Sequence, residues 1–249
     1  MRYFENFKRT SYAFGDEFEK EGGTQLQLNF VQDLSQYADV VDQVREAVHF
    51  YEPYTIIENE RPDQVSQKFY NSPIYHWTFF MMNDHLRQQG WPLTHKQLDE
   101  VVKRDFPNQY IYTQTDLSSV FLVGDYVFGS VSGAEGRILR RYLDLGLIIV
   151  ETTDQFVAGE AVNVRSTVPN TATIVINSTG YEYNAPHHYE NAAGEYVDVD
   201  PTIAVPAIYN EVTNYDRYIR SNDKLKDIKV IKPQNIVEVA SAFKRALTS

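Results

Sequence analysis

The stretch Arg61–Leu93, RPDQVSQKFYNSPIYHWTFFMMNDHLRQQGWPL, constrains this chain more than any other. Pro62 suits the first turn of a helix, where its missing N–H costs nothing. Val65 and Phe69 follow one turn apart. Asn71 ends that helix, and Ser72-Pro73 opens a second, with Ser72 as N-cap and Pro73 at the first position. The second helix is expected to run to about Asn83. Ile74, Trp77 and Met81 form one apolar stripe on it, and Tyr75, Phe79 and Met82 form another. A helix apolar on both stripes is sandwiched between layers or covered by another chain. These aromatics are therefore a buried core or a surface that a partner grips.

The rest of the chain alternates in character. Residues 1–50 read as an arm with a short strand at Gln25–Phe30, then an amphipathic helix with apolar residues at Leu34, Tyr37, Val41, Val44 and Val48. Tyr54–Glu58 reads as a strand. THKQ at Thr94–Gln97 has the form of a capping box, and Pro107 stops the helix it opens. From Gln114 the pattern turns alternating and glycine-punctuated, as several short strands do. An internal echo, F-x-x-G-[DE]-x-V, occurs at Phe121–Val127 and again at Phe156–Val162. This region, 114–210, predicts a small β-barrel or sandwich, with the polar segment Asn177–Thr202 as a long surface loop. A helix-like piece, a strand at Asp227–Ile231 and a final helix carrying Ile236, Val239, Ala240, Phe243 and Leu247 close the chain.

Net charge is -11. An acidic surface repels phosphate backbones, which argues against nucleic-acid binding; the lysines of KLKDIKVIK read as the solvated face of a strand. With no cysteine, thiolate metal sites and cysteine nucleophiles are excluded. The charged N-terminal segment shows no secretion-signal core, and no run approaches the roughly 18 apolar residues of a membrane helix. None of the six histidines has metal-ligand spacing. His187 and His188 are adjacent, and neighbours on an extended chain point opposite ways, so one metal would rarely take both; the pair reads as solvated loop histidines. His76 reads as a packing or hydrogen-bonding residue. GSVSGAEG at Gly129–Gly136 lacks the Lys-Ser/Thr of a phosphate loop, and Ser132 does not fit G-x-S-x-G. No catalytic, cofactor or metal residue emerges.

Arg61, Pro62, Tyr70, Asn71, Pro73, Trp77, Asn83, Asp84, Trp91 and Pro92 occur in an order that resembles the LysM-like baseplate wedge proteins of T-even-like contractile-tailed phages. The opening MRYFENF and the closing NDKLKDIKVIKPQNIVEVASAFKRAL are similar to that family's ends. The resemblance implies an α+β fold: a β-α-α-β module split by an inserted β module and preceded by an N-terminal arm, with Tyr54–Glu58 pairing antiparallel to Asp227–Ile231, neither strand having an obvious local partner. The divisions are 1–50 for the arm and its helix, 51–113 and 211–249 for the split module, and 114–210 for the insertion. It implies a non-enzymatic virion subunit, present in multiple copies and assembled in the host cytoplasm, that links neighbouring wedge subunits during baseplate assembly, with other wedge and hub proteins as its partners. No cofactor, nucleic acid or membrane enters. Tyr75, Phe79 and Met82, with Trp91 nearby, are the expected partner surface; the alternative is that the C-terminal helix covers this stripe through Phe243 and Leu247. A second function class is a peptidoglycan-binding LysM module of a cell-wall-acting protein, although NERPD stands here where G-D-T-L is common in such modules. An enzyme built on the β module is a third reading, with no residue pattern behind it.

Overall fold

A computed structural model describes the backbone of residues 9–13, 28–32, 50–165 and 172–248, and the side chains of 50–165 and 172–245. The chain runs through strands β1 (Arg9–Ala13), β2 (Leu28–Gln32) and β3 (Tyr51–Thr55). Helices α1 (Pro62–Tyr70), α2 (Trp77–Met82), α3 (Asp84–Gln89) and α4 (His95–Asp105) follow. Next come β4 (Gln109–Tyr112), β5 (Tyr126–Gly129), β6 (Glu135–Tyr142), β7 (Leu147–Glu151), β8 (Ala161–Arg165), β9 (Thr173–Val175) and β10 (Ser178–Tyr181). Last are β11 (Pro186–Glu190), β12 (Tyr196–Val197), β13 (Asn210–Thr213), α5 (Asn214–Lys224), β14 (Asp227–Ile231) and α6 (Ile236–Thr248). The protein is thus mixed helix and sheet. It divides into two compact units, 1–93 with 222–249, and 94–221.

In the first unit β1 pairs antiparallel with β2. The strand expected at Gln25–Phe30 is described as Leu28–Gln32, and the helix expected at Leu34–Val48 lies outside the described residues. β3 pairs antiparallel with β14, Tyr51 opposite Ile231 and Thr55 opposite Asp227. The pairing is the expected one, although β3 sits three residues earlier than the sequence suggested. Beyond Thr55 the Ile56 N–H still donates to the Lys226 carbonyl at 2.8 Å, after which the chain turns away. The expected second helix is broken. A 3-10 turn at Pro73–Tyr75 precedes α2, and Asn83 is extended between α2 and α3. Ser72 makes no side-chain cap; its carbonyl instead accepts from the buried Ser66 hydroxyl at 2.6 Å.

In the second unit Thr94 and Gln97 form the expected capping box of α4. Seven strands hydrogen-bond in the order β10-β4-β7-β6-β5-β8-β9. The two outermost strands are separated only by Ile176 and Asn177. The Ile176 N–H donates to the Glu160 carbonyl at 3.0 Å on one side, and the Asn177 N–H to the Tyr112 carbonyl at 2.9 Å on the other. One continuous segment therefore joins the two ends of the strand order, and the sheet curls round on itself as a barrel. Ile111, Phe121, Val127, Ile138, Ile148, Val150, Phe156, Val162, Ile174 and Ile176 fill it. Because Ile111 belongs to this core, β4 joins the second unit, and the break expected at 113/114 falls at 93/94. The expected surface loop Asn177–Thr202 instead carries β10, β11 and β12; β11 is the centre of a three-stranded sheet with β12 and β13.

The F-x-x-G-[DE]-x-V echo is a structural repeat. In each copy the phenylalanine and the valine are buried. The glycine holds a positive φ, +96° at Gly124 and +86° at Gly159, which an L side chain rarely adopts. The acidic residue closes the turn in both directions. Asp125 N–H donates to the Leu122 carbonyl and its carboxylate accepts from Leu122 N–H at 2.8 Å; Glu160 does the same with Val157, accepting at 2.7 Å. Each turn then docks on the next strand by the same pair of bonds, through Ile138 in one copy and Ile176 in the other.

Candidate functional site

Three of the residues that carry the resemblance, Tyr70, Asn83 and Trp91, bond to other segments of the first unit. Pro62 opens α1, and Asn71 ends it in the left-handed region at φ 52°. The Tyr70 hydroxyl donates to the Ile231 carbonyl at 2.9 Å, and burial pushes this phenol well above its ordinary pKa. Asn83 occupies the break between α2 and α3 and bonds like a strand residue. Its Nδ2 donates to the Lys229 carbonyl at 2.9 Å and to the Phe79 carbonyl at 2.8 Å, while its Oδ1 accepts from Lys229 N–H at 2.8 Å. The Trp91 indole N–H donates to the Glu60 carbonyl at 2.7 Å. The Glu60 side chain in turn accepts from the Tyr54 hydroxyl at 2.5 Å and from Lys68 at 3.1 Å. These positions join helices to the returning strand β14 and to the loop after β3.

Sequence reasoning missed Asn222. Its side chain accepts from Leu93 N–H at 2.7 Å and donates to the Leu93 carbonyl at 3.0 Å, so the two points where the chain leaves and re-enters the first unit are bonded to each other. A lone asparagine in a polar helix gives no signal of such a partner 129 residues away.

The expected partner surface is corrected. Phe79 is fully buried with Val65, Leu86, Ile228 and Val230, and Met82 is 3% exposed beside Ile231, Ile236 and Phe243. Trp91 is half-buried over Phe79 and Phe80. The physical reason is the alternative weighed above: α6 lays Ile236, Val239 and Phe243 on this side, and Trp77 packs on Phe243 at 4.8 Å between ring centroids. Leu247 lies outside the described side chains. Tyr75, like Trp91, is only partly buried. With Ile74, Trp77, Val237, Ala240 and Lys244 it lines a shallow groove of about 100 Å³. Ile74 is 47% and Val237 62% exposed, so the groove carries apolar surface on both rims.

In the second unit the glycine loop Gly129–Gly133 does bind an anion, and the anion is the chain's own Glu160. This buried carboxylate accepts from Val131 N–H at 2.9 Å, Ser132 N–H at 2.9 Å, the Ser132 hydroxyl at 2.8 Å and Val157 N–H. Burial raises its pKa, but the bonds from Ser132, Val157 and Val131 outweigh burial and hold it below the usual range. A Cβ on Gly129 would meet the Ser132 hydroxyl at 2.4 Å and the carboxylate at 2.6 Å, which is why glycine stands there. The Ser132 hydroxyl is one of the donors of this clasp. Glu182, also buried, is held by Asn108 at 2.8 Å and by Arg140.

His76 is exposed and bonds the Pro73 carbonyl at 2.9 Å. The reading of His187 and His188 as divergent, solvated loop residues is overturned: both lie on β11, and His188 is buried. The β11–β13 register shifts between Pro186 and His188, and this bulge turns both rings the same way, Nδ1 to Nδ1 at 2.8 Å. Among the described residues no group of three or more His, Asp or Glu side chains is arranged to hold a metal, and no helix is long and apolar enough to cross a membrane.

No protein-family model matches this chain, and no curated protein sequence matches it either.

Proposed function

We propose that this chain is a structural subunit of a contractile-tail baseplate wedge, built on a split LysM-like module, that links neighbouring wedge and hub proteins as the baseplate assembles. The observation that carries this reading is the pairing of β3 with β14 around α1 and α2. It joins segments on either side of residues 94–221, as a split β-α-α-β module requires, and Tyr70 and Asn83 of the resemblance bond directly to β14. The role is binding rather than chemistry, in multiple copies within the virion. With Phe79 and Met82 buried, the contact to a neighbour falls on the groove rimmed by Ile74, Tyr75 and Val237, since aromatic and apolar side chains enrich interface centres.

Co-expression with the products of the adjacent genes, followed by electron microscopy of the purified complexes, tests this. Wedge-shaped complexes containing the chain are expected. Val237→Glu is expected to leave the isolated chain folded and to abolish complex formation. Retention on insoluble peptidoglycan together with failure to assemble would reject the wedge reading in favour of glycan binding.

A further inference from the structure

The histidine pair on β11 meets ring to ring through its Nδ1 atoms. His188 is buried, its ring stacked 3.9 Å from the Tyr196 ring across the β11–β12 hairpin. Its Nε2 lies 2.9 Å from Glu190. The Glu190 carboxylate also takes two bonds from Arg220, at 2.7 and 2.9 Å, and its partners His188 and Arg220 keep it ionised. A carboxylate there requires a proton on His188 Nε2. The other nitrogen, Nδ1, then faces His187 Nδ1 at 2.8 Å, where one proton fits and two do not.

Two states satisfy this geometry. In the neutral pair His187 Nδ1–H donates to His188 Nδ1. In the singly charged pair His188 Nδ1–H donates to His187, and the added charge sits beside Glu190. With two charges both Nδ1 atoms carry hydrogen and point at each other, and the contact cannot persist. The groups that face the pair are Glu190 on β11, Arg217 and Arg220 on α5, and Tyr196 on β12, whose hydroxyl is 3.3 Å from His187 Nδ1. The two arginines add to the repulsion in the doubly charged state.

We propose that His187 and His188 form a one-proton latch: the rings accept a single positive charge in place, and a second proton drives them apart and loosens the β11–β12 hairpin. Tyr196, already more than half exposed, is the side chain released. Burial, then Arg217 and His188, hold the His187 pKa below its ordinary value. A lowered imidazole contributes stability that is complete above the unfolded pKa of about 6.5 and is lost as pH falls through the folded value. The latch therefore opens on the acid side of neutrality.

The test is nitrogen NMR of the two imidazoles in the full chain from pH 8 to 4.5, with the hydrogen-exchange protection factor of the Asn191 amide measured in parallel. That amide bonds the Glu195 carbonyl at 3.0 Å at the tip of the hairpin. The first ring charge is expected to leave protection unchanged, and the second to coincide with a loss of about tenfold or more. His187→Ala, at a partly buried position, is expected to fold and to lose the acid step. The proposal is overturned if both rings charge while Asn191 protection holds, or if His187→Ala keeps the same acid step. The wild-type titration decides the matter even if the variant does not fold.

Discussion

Two polar side chains illustrate how single residues hold this protein. Asn83 satisfies backbone groups on two elements at once, so Asn83→Ala removes three hydrogen bonds and strands the Lys229 amide and carbonyl. At roughly 1 kcal/mol per net bond, with an added penalty for buried unpaired groups, the expected loss is about 3 kcal/mol. Denaturant unfolding would show it as a lower midpoint with an unchanged slope. Glu160 is the counterpart in the barrel. Glu160→Gln keeps the shape but turns an NH₂ towards amide donors, and about 2–4 kcal/mol of stability should go with it. The wild type carries a pH signature as well. Because the folded carboxyl sits below its ordinary pKa, its contribution is present above the unfolded value of about 4.3 and fades as pH falls through the folded one. Thermal melts from pH 6 down to 3 should therefore converge for wild type and Glu160→Gln; parallel curves would mean that the clasp contributes little.

At the scale of elements, glycine positions separate turns that need a conformation from strands that need space. Gly133 has φ +67° with open space around it, so alanine there meets only backbone strain, about 1 kcal/mol. Gly136 lies in β6, where a Cβ would stand 2.5 Å from Val150 and 2.7 Å from the Glu151 carbonyl of β7. Gly136→Ala must push two barrel strands apart, and overpacking of this kind costs about 1–3 kcal/mol or more. The ordering of the two variants in a melting experiment is the check; equal losses would show that β6 and β7 separate easily. The break at Asn83 belongs to this scale too. A continuous helix from Pro73 to Asn83 would leave the Lys229 amide and carbonyl without the Asn83 side chain that pairs with them.

For the whole molecule, the bond between Asn222 and Leu93 matters most. It brings the exit and re-entry of the chain within side-chain reach, so that residues 94–221 can be removed without stretching the remainder. Replacing 94–221 by a Gly/Ser linker of about four residues is expected to leave β3 and β14 paired, since a short closure adds little loop entropy. Contacts between Tyr54 and Ile228, opposite each other in the register, would report the pairing by NMR. Their absence would mean that the first unit depends on the inserted one. Phe79→Glu in the full chain, at a position with no exposure, is expected to unfold the first unit outright.

What the sequence determined by itself was local. Pro62 and Asn71 bound α1 and Thr94–Gln97 caps α4, because caps and proline act within a turn of their own position. The F-x-x-G-[DE]-x-V repeat was legible for the same reason: its bonds run between residues three apart. The distant pairing of β14 with the strand near Tyr54 was expected from the resemblance, and the lack of a local partner for either strand agreed with it. Tertiary structure decided the rest. Periodicity shows that Tyr75, Phe79 and Met82 share a stripe, but only the placement of α6 shows that two of them are covered. Alternation cannot reveal a bulge, so the convergence of His187 and His188 depended on the β11–β13 register. Nor does composition say which anion a glycine loop holds; Glu160, 28 residues from Ser132, reaches it only once the barrel has closed.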